Sequence, residues 1–206
     1  MASVGSIMRV SPVIPVVTIP DNTDVMALGE ALLEGGVRII EVTLRTAAGF
    51  DAIVDLVKRF PDMSVGAGTV WTAEQATAIA DAGAAFAVSP GISMPVHETC
   101  VKRDLPLLPG AQTVSEIAHW RAEGREAVKF FPASVAGGVP ALKAFSSVFP
   151  DLEFCPTGGI NEDNVRDFLS LPRVPCVGGS WLVSSDALKR GDWASVRKAA
   201  KKAAAL

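Results

Sequence analysis

The chain has 206 residues, of which 49% are hydrophobic and 20% are charged. This length and composition predict a single domain, residues 1–206, with one sizeable hydrophobic core. The net charge of -3 provides no broad positive field, so a phosphodiester backbone would on average be repelled. We therefore expect no nucleic-acid partner.

Cysteine usage and the apolar profile exclude further classes. Cys100, Cys155 and Cys176 are far apart and form no C-x-x-C pair, which argues against a disulfide framework and a zinc knuckle. Neither a signal peptide nor a run of about eighteen apolar residues is present, so we expect a cytoplasmic protein without a membrane partner. With only two histidines, a metal site would have to be built almost wholly from oxygens, so we expect no metal. We also expect no cofactor.

Short β-branched apolar runs alternate with segments of helical period, which predicts eight successive βα units. The predicted strands are Val13–Ile19, Arg38–Thr43, Ser64–Thr69, Ala85–Val88, Leu107–Pro109, Ala127–Phe130, Glu153–Pro156 and Pro175–Gly178. The predicted helices are Asp24–Glu34, Phe50–Phe60, Thr72–Ala82, Pro95–Arg103, Thr113–Glu123, Val139–Val148, Asn164–Leu169 and Trp193–Ala205. The residues predicted to cap helices or lie near their starts are Asp21, Thr72, Thr113 and Asn161, and the glycines predicted to end helices are Gly35, Gly83 and Gly124.

Eight such units can form a closed barrel or an open doubly wound sheet. The first turn, after Ile19, lacks the G-x-G-x-x-G motif of a dinucleotide-binding sheet. This absence favours an α/β fold of the single (β/α)8 TIM barrel type. In such barrels the active site lies at the carboxyl ends of the strands.

Lys129 is the only one of eight lysines that falls inside an apolar strand pattern. Burial disfavours the charged form of a lysine, and an uncharged amine can condense with a ketone. A structural interpretation, a strand-end lysine paired with an acid, remains open from the residues alone.

Glu41, Thr43 and Arg45 alternate at the end of the second predicted strand and should point to the same side. Glu41 could transfer protons, and Arg45 could bind a carboxylate, although a structural ion pair would give the same pattern. Gly66-Ala67-Gly68-Thr69 ends the third strand, where small residues could admit a ligand and the Thr69 hydroxyl could donate a hydrogen bond.

Two glycine doublets, Gly158-Gly159 and Gly178-Gly179, follow the seventh and eighth strands. Accessible backbone N–H groups beside helix starts bind anions, and barrels often bind phosphate between these two loops. We favour a phosphate site over two tight turns that merely require glycine. Ser89-Pro90-Gly91 and Leu108-Pro109-Gly110 are ambiguous between lining the mouth and turning the chain.

Six motifs in this order and spacing resemble the bacterial 2-keto-3-deoxy-6-phosphogluconate (KDPG) aldolases, which also cleave 4-hydroxy-2-oxoglutarate. They are Glu41-Val42-Thr43-Leu44-Arg45, Gly66-Ala67-Gly68-Thr69, Ser89-Pro90-Gly91, Lys129-Phe130-Phe131-Pro132-Ala133, Thr157-Gly158-Gly159-Ile160 and Gly178-Gly179-Ser180. The resemblance spans Val13 to Trp181 and implies a class I aldolase barrel, a homotrimer and no metal.

The resemblance also implies a role for each matching residue. Lys129 would form the Schiff base, and Glu41 would be the general acid and base. The remaining roles would be carboxylate binding by Arg45 and Thr69, pocket lining by Pro90 and Phe131, and binding of the hydroxylated, phosphorylated end by Thr157, Gly158, Gly159, Gly178, Gly179 and Ser180. The expected partner is thus a phosphorylated 2-keto acid.

The predicted reaction is cleavage of KDPG to pyruvate and D-glyceraldehyde 3-phosphate, together with cleavage of 4-hydroxy-2-oxoglutarate to pyruvate and glyoxylate. Three alternatives remain: an aldolase of the same chemistry that acts on the galactonate epimer or chiefly on unphosphorylated 4-hydroxy-2-oxoglutarate, a phosphate-binding barrel isomerase without covalent chemistry, and a noncatalytic phosphosugar-binding protein.

Overall fold

The computed structural model describes residues 3–206, so Met1 and Ala2 of the predicted domain lie outside the described residues. These residues form nine strands: β1 (Val13–Val17), β2 (Ile39–Thr43), β3 (Ser64–Gly68), β4 (Phe86–Val88), β5 (Leu107–Leu108), β6 (Gly110–Ala111), β7 (Ala127–Phe130), β8 (Glu153–Pro156) and β9 (Val177–Gly179). Their ten helices are α1 (Val4–Ile7), α2 (Val25–Glu34), α3 (Ala48–Arg59), α4 (Ala73–Asp81), α5 (Met94–Lys102), α6 (Val114–Ala122), α7 (Gly138–Val148), α8 (Val165–Leu169), α9 (Ser185–Arg190) and α10 (Trp193–Ala204).

All strand pairs are parallel, which confirms the predicted α/β class. Six strands form one sheet in the order β5-β4-β3-β2-β1-β9, and three form another in the order β6-β7-β8. The predicted fifth strand, Leu107–Pro109, ends as β5 at Leu108, and a separate strand, β6, follows Pro109, which has no N–H to contribute to a ladder. A single bridge between Thr157 and Gly178 connects the carboxyl ends of β8 and β9.

The central strands are covered on both faces. Every residue of β2 and of β7 is buried, which explains why these segments read as continuous apolar runs interrupted only by Glu41, Thr43 and Lys129. The indole of Trp120 on α6 is also fully buried, and its Nε1 donates a hydrogen bond to the Gly110 carbonyl at 2.9 Å. This contact fixes α6 against β6.

Most predicted helix ends agree with the structure. Thr72 and Thr113 are N-caps of complete capping boxes, each closed by the side chain three residues later. The predicted cap Asp21 is wrong, because Asp24 accepts the hydrogen bond from the Ala27 N–H at the start of α2. Asn161 lies near the start of α8 and accepts backbone hydrogen bonds, although the cap position belongs to Asn164.

The parallel arrangement brings the carboxyl ends of the strands to one edge of the molecule. Glu41 on β2, Lys129 on β7 and the loops after β8 and β9 therefore share that edge. No helix in the described part of the chain combines the length and the apolarity that crossing a membrane requires.

Candidate active site

The ammonium nitrogen of Lys129 lies 3.0 Å from Oε1 and 3.4 Å from Oε2 of Glu41. Both residues are almost completely removed from solvent, with 5% of Lys129 and 3% of Glu41 exposed. The Phe131 ring covers the amine, with its centroid 5.4 Å from Nζ. A proton can therefore pass directly from the ammonium to the carboxylate and leave an uncharged amine beside a carboxylic acid.

Gly68 on β3 provides the space for the Glu41 carboxylate. The register places Glu41 beside Gly66, and a methyl group added at Gly68 would lie 2.8 Å from both Cγ and Cδ of Glu41 and would overlap Oε1. The absence of a side chain at Gly68 therefore lets the carboxylate reach Lys129.

Arg45 and Thr69 form a second pair at the mouth. Arg45 Nε donates to Thr69 Oγ1 at 3.0 Å. Thr69 has φ 60°, a left-handed conformation that is rare for a β-branched residue and is concentrated at functional sites. Within residues 3–206 no carboxylate forms an ion pair with Arg45, so its guanidinium can bind an anionic ligand.

The sequence placed both glycine doublets after strands, but only Gly158 and Gly159 follow one, β8, whereas Gly178 and Gly179 lie within β9. Gly158 and Gly159 have φ 98° and 74°, so both require the left-handed region that glycine adopts without strain. The Gly159 carbonyl accepts hydrogen bonds from Ser134 Oγ at 2.9 Å and from Asn164 Nδ2 at 3.0 Å. Gly178 instead accommodates the Thr157 side chain, since a methyl group there would lie 2.9 Å from Thr157 Cγ2.

A cavity of about 450 Å³ opens at this edge. Four of the predicted site residues line it, namely Arg45, Phe131, Gly158 and Ser180. Five residues that the sequence reasoning did not select complete the lining: Val16, Thr18, Val183, Ser184 and Ser185. The hydroxyls of Thr18 and the three serines make this wall of the cavity polar.

The other predicted residues lie beside the cavity rather than in its wall. Pro90 packs against Gly110, where a methyl group would lie 2.6 Å from the next backbone nitrogen, Gly91 N. The Ser89 hydroxyl donates to the Gly91 carbonyl at 2.9 Å and so holds this turn in place. Gly179 packs beneath the Trp181 indole and is likewise absent from the cavity lining.

A cavity of about 530 Å³ lies elsewhere on the surface, among residues that precede β7 and β8. Arg9 and Arg121 in its wall are paired with Glu153 and Asp151. The hydrogen bond from Arg121 lowers the pKa of Asp151, as expected of a structural ion pair. We therefore place the chemistry in the smaller cavity, next to Lys129.

Metal ligands are not grouped in this molecule as far as the structure describes it. Among residues 3–206, no three histidine, cysteine, aspartate or glutamate side chains lie close enough to hold an ion together. The three cysteines are unpaired and buried.

The fold and the site together define a class, namely a parallel α/β protein with a buried lysine–glutamate pair at the carboxyl ends of its strands. An amine held in this way is suited to covalent chemistry on a carbonyl carbon. The model of the KDPG and KHG aldolase family matches residues 4–199. The chain therefore belongs to the KDPG and KHG aldolase family, which confirms the resemblance inferred from the six motifs.

Individual relatives agree with this assignment. The KHG/KDPG aldolase of Escherichia coli (strain K12) is 44% identical over 201 residues, which cover 98% of this chain and 94% of that protein. The crystal structure of the Legionella pneumophila KDPG aldolase, with pyruvate captured as a covalent carbinolamine intermediate, superimposes with a TM-score of 0.94 at 44% identity and covers 97% of both chains. The Zymomonas mobilis KDPG aldolase with 3-phosphoglycerate has a TM-score of 0.92 at 40% identity, covering 98% of this chain and 94% of that one.

Proposed function

We propose that this protein is a class I aldolase that cleaves KDPG to pyruvate and D-glyceraldehyde 3-phosphate, with Lys129 as the Schiff-base residue. The observation that carries the proposal is the buried contact between Lys129 Nζ and Glu41 Oε1 at 3.0 Å. The carbinolamine with pyruvate in the Legionella relative supports covalent chemistry at an amine in this family.

The reaction begins when Lys129 transfers a proton to Glu41 and the free amine attacks the C2 carbonyl of the substrate. Glu41 returns its proton to the departing hydroxyl of the carbinolamine, and loss of water gives an iminium, which accepts the electrons of the C3–C4 bond. Glu41, as carboxylate, removes the C4 hydroxyl proton directly or through a water, and the aldehyde leaves as that bond breaks. The remaining enamine is protonated at C3, and water hydrolyses the resulting iminium to pyruvate and free Lys129.

Binding groups at the two ends of the cavity would hold the substrate in register with the amine. Arg45 and Thr69 bind the pyruvyl carboxylate, while Phe131 and Pro90 shape the pocket around C2. The phosphorylated end is bound by Ser180, by Thr157, Gly158 and Gly159 after β8, and by Gly178 and Gly179 at the end of β9. Such positioning can contribute up to about 7–11 kcal/mol to catalysis.

Cleavage of 4-hydroxy-2-oxoglutarate to pyruvate and glyoxylate is the second proposed activity. The E. coli relative is a KHG/KDPG aldolase, and the same amine, carboxylate and arginine would serve a substrate that shares the 2-keto acid half. Rates on KDPG, its galactonate epimer and 4-hydroxy-2-oxoglutarate, measured side by side, rank the three substrates.

Borohydride trapping tests the covalent step. Incubation with pyruvate and borohydride should add one reduced pyruvyl group to Lys129, located by peptide mass spectrometry. Lys143 is an exposed lysine of α7 and provides the matched control: Lys143→Met should be labelled normally, and Lys129→Met should not. An unlabelled wild-type protein, or a label on another residue, would favour the noncovalent isomerase instead.

We infer that the two sheets form one closed barrel of eight strands, in which β5 and β6 count as a single strand interrupted at Pro109. The Lys129 N–H donates to the Pro109 carbonyl at 2.8 Å, and the Phe154 N–H donates to the Arg173 carbonyl at 2.7 Å. Both bonds supplement the ladders at the junctions between the sheets. Strong hydrogen-exchange protection of the Lys129 and Phe154 amides would agree with closure, and rapid exchange of either amide would oppose it.

We further propose a cytoplasmic homotrimer. Large apolar side chains are exposed near the mouth, including Trp71 at 50% and Ile92 at 39%, and such patches are typical of interfaces. Light scattering should give a mass close to three chains of 21.5 kDa each, and Trp71→Asp should weaken the assembly. A monomeric wild-type protein would rule out the trimer, and cell fractionation tests the location.

A further inference from the structure

Thr18, in the wall of the cavity, forms a hydroxyl pair with Thr43, which lies behind that wall. Their Oγ1 atoms are 2.8 Å apart, and Thr43 is completely buried between Glu41 and Arg45 along β2. Thr18 follows β1, is exposed, and lines the cavity together with Val16. Thr18 is therefore in contact with the space that the ligand would occupy.

The burial of Thr43 fixes the direction of this hydrogen bond. A hydroxyl carries one hydrogen, and a buried hydroxyl that does not donate it is destabilising. In the described part of the chain, Thr18 is the only hydrogen-bond partner of Thr43 Oγ1. Thr43 therefore donates to Thr18, and the hydrogen of Thr18 is left to point into the cavity.

The strand register locates Thr18 relative to the reacting atoms. Val16 pairs with Glu41, so Thr18, two residues further on, lies about 6–7 Å nearer the mouth than the level of Glu41. Ser180 and Gly158, which would bind the phosphorylated end of the substrate, line the same cavity as Thr18, and on this ground we place Thr18 beside the aldehyde half.

We infer that Thr18 is a specificity-determining residue that donates a hydrogen bond to an oxygen of the aldehyde half of the substrate. The inference rests on the proposed function and narrows its substrate class to 2-keto acids that carry oxygen substituents beyond C4. A donor whose oxygen already accepts a hydrogen bond is polarised, which strengthens the bond that it donates. An aldehyde half with only a methyl group at this place would leave the Thr18 donor without a partner.

The test compares KDPG with 4-hydroxy-2-oxopentanoate, whose aldehyde half has no oxygen beyond the C4 hydroxyl. Thr18→Val keeps the side-chain shape and should lower kcat/KM for KDPG about 10-fold, the equivalent of one hydrogen bond. The same variant should leave kcat/KM for 4-hydroxy-2-oxopentanoate and the rate of pyruvate trapping nearly unchanged. Thr18→Ser retains the hydroxyl and should keep KDPG cleavage within about 2-fold of wild type.

Matched controls separate ligand binding from structural support. Thr18→Val deprives Thr43 of its acceptor, whereas Thr18→Val/Thr43→Val removes both hydroxyls and should show the same selective loss. Thr43→Val alone retains the Thr18 donor and should lose less than about 3-fold. Unchanged KDPG cleavage in Thr18→Val, or equal losses on both substrates and in trapping, would overturn the inference. A wild-type protein that fails to trap pyruvate would instead refute the aldolase proposal itself.

Discussion

Gly68→Ala adds a single methyl group to the site and should disable it, because that methyl group displaces the carboxylate of Glu41. The added methyl group would lie 2.8 Å from Cγ and Cδ of Glu41, whereas carbon atoms in contact are about 3.5–4.0 Å apart. The backbone of Gly68 lies outside the left-handed region, so alanine can adopt it. The side chain of Glu41 must therefore move to relieve the overlap, and its carboxylate is displaced by roughly 1 Å.

This displacement determines the expected magnitude. The distance between Lys129 Nζ and Glu41 Oε1 is 3.0 Å, so a displacement of about 1 Å takes the pair beyond hydrogen-bonding range. A misplacement of this size can cost about 100-fold in rate, and overpacking a core typically costs about 1–3 kcal/mol of stability. We expect kcat for KDPG to fall about 100-fold in a protein that remains folded.

Pyruvate release in a coupled assay measures the rate, and urea denaturation followed by circular dichroism measures the free energy of unfolding. Gly91→Ala is the matched control, since its methyl group would meet only Trp71 at 3.9 Å, an ordinary van der Waals contact. If Gly68→Ala retained kcat within about threefold of wild type, Glu41 would not need its present position and the reasoning would be refuted. An equal loss in Gly91→Ala would refute it as well.

Three further predictions concern charged and titratable groups. Glu41→Gln should still be labelled by pyruvate and borohydride at Lys129 while kcat falls by about 10²- to 10⁴-fold; full turnover would remove Glu41 from proton transfer. Arg45→Ala should raise KM for KDPG about 10- to 100-fold, as loss of a charge-assisted hydrogen bond predicts, and an unchanged KM would contradict carboxylate binding there. Burial and the nearby Arg125 guanidinium lower the pKa of His97 below 6.5, so the unfolded chain binds this proton more readily than the folded chain. The contribution of neutral His97 to the free energy of unfolding is therefore fully present above pH 6.5 and is lost as the pH falls below that value. Urea denaturation from pH 7.5 to pH 5 should show a smaller decline in His97→Gln, and parallel declines would disprove the role of His97.

Periodicity and turn residues predicted most of the fold. Long amphipathic or apolar segments reveal their period, so α2, α3, α4 and α10 lie close to their predicted positions, whereas α6 was located by its cap residue Thr113 and by Gly124. Helices α1 and α9 were missed because four and six residues are too few for a helical period to be visible. Pro109 marks the break between β5 and β6 in the sequence, but the change of partner from β4 to β7 across this break is seen only in the structure.

The candidate site was predictable where a residue conflicts with its surroundings. Lys129 and Glu41 are charged residues in apolar strands, and the structure brings them within hydrogen-bonding distance, as their shared chemistry required. Thr18 offered no such conflict, because threonine is an ordinary β-strand residue. The available signal was its alternation with Val16 toward the same face, and that signal acquires meaning only when Thr43 is known to be its neighbour.

The glycine motifs show why contacts across strands matter more to this site than the motifs themselves. Accessible N–H groups explain a preference for glycine near an anion, yet Gly68 accommodates Glu41 and Gly178 accommodates Thr157. In the same way, a side chain at Gly110 would strike the backbone of the loop that holds Pro90. Each of these glycines faces a functional group on a neighbouring element, so their spacing along the chain reflects the register of the sheet. This geometry accounts for the retention of family motifs in order, because moving one glycine by a single position would place a side chain against the group that it now admits.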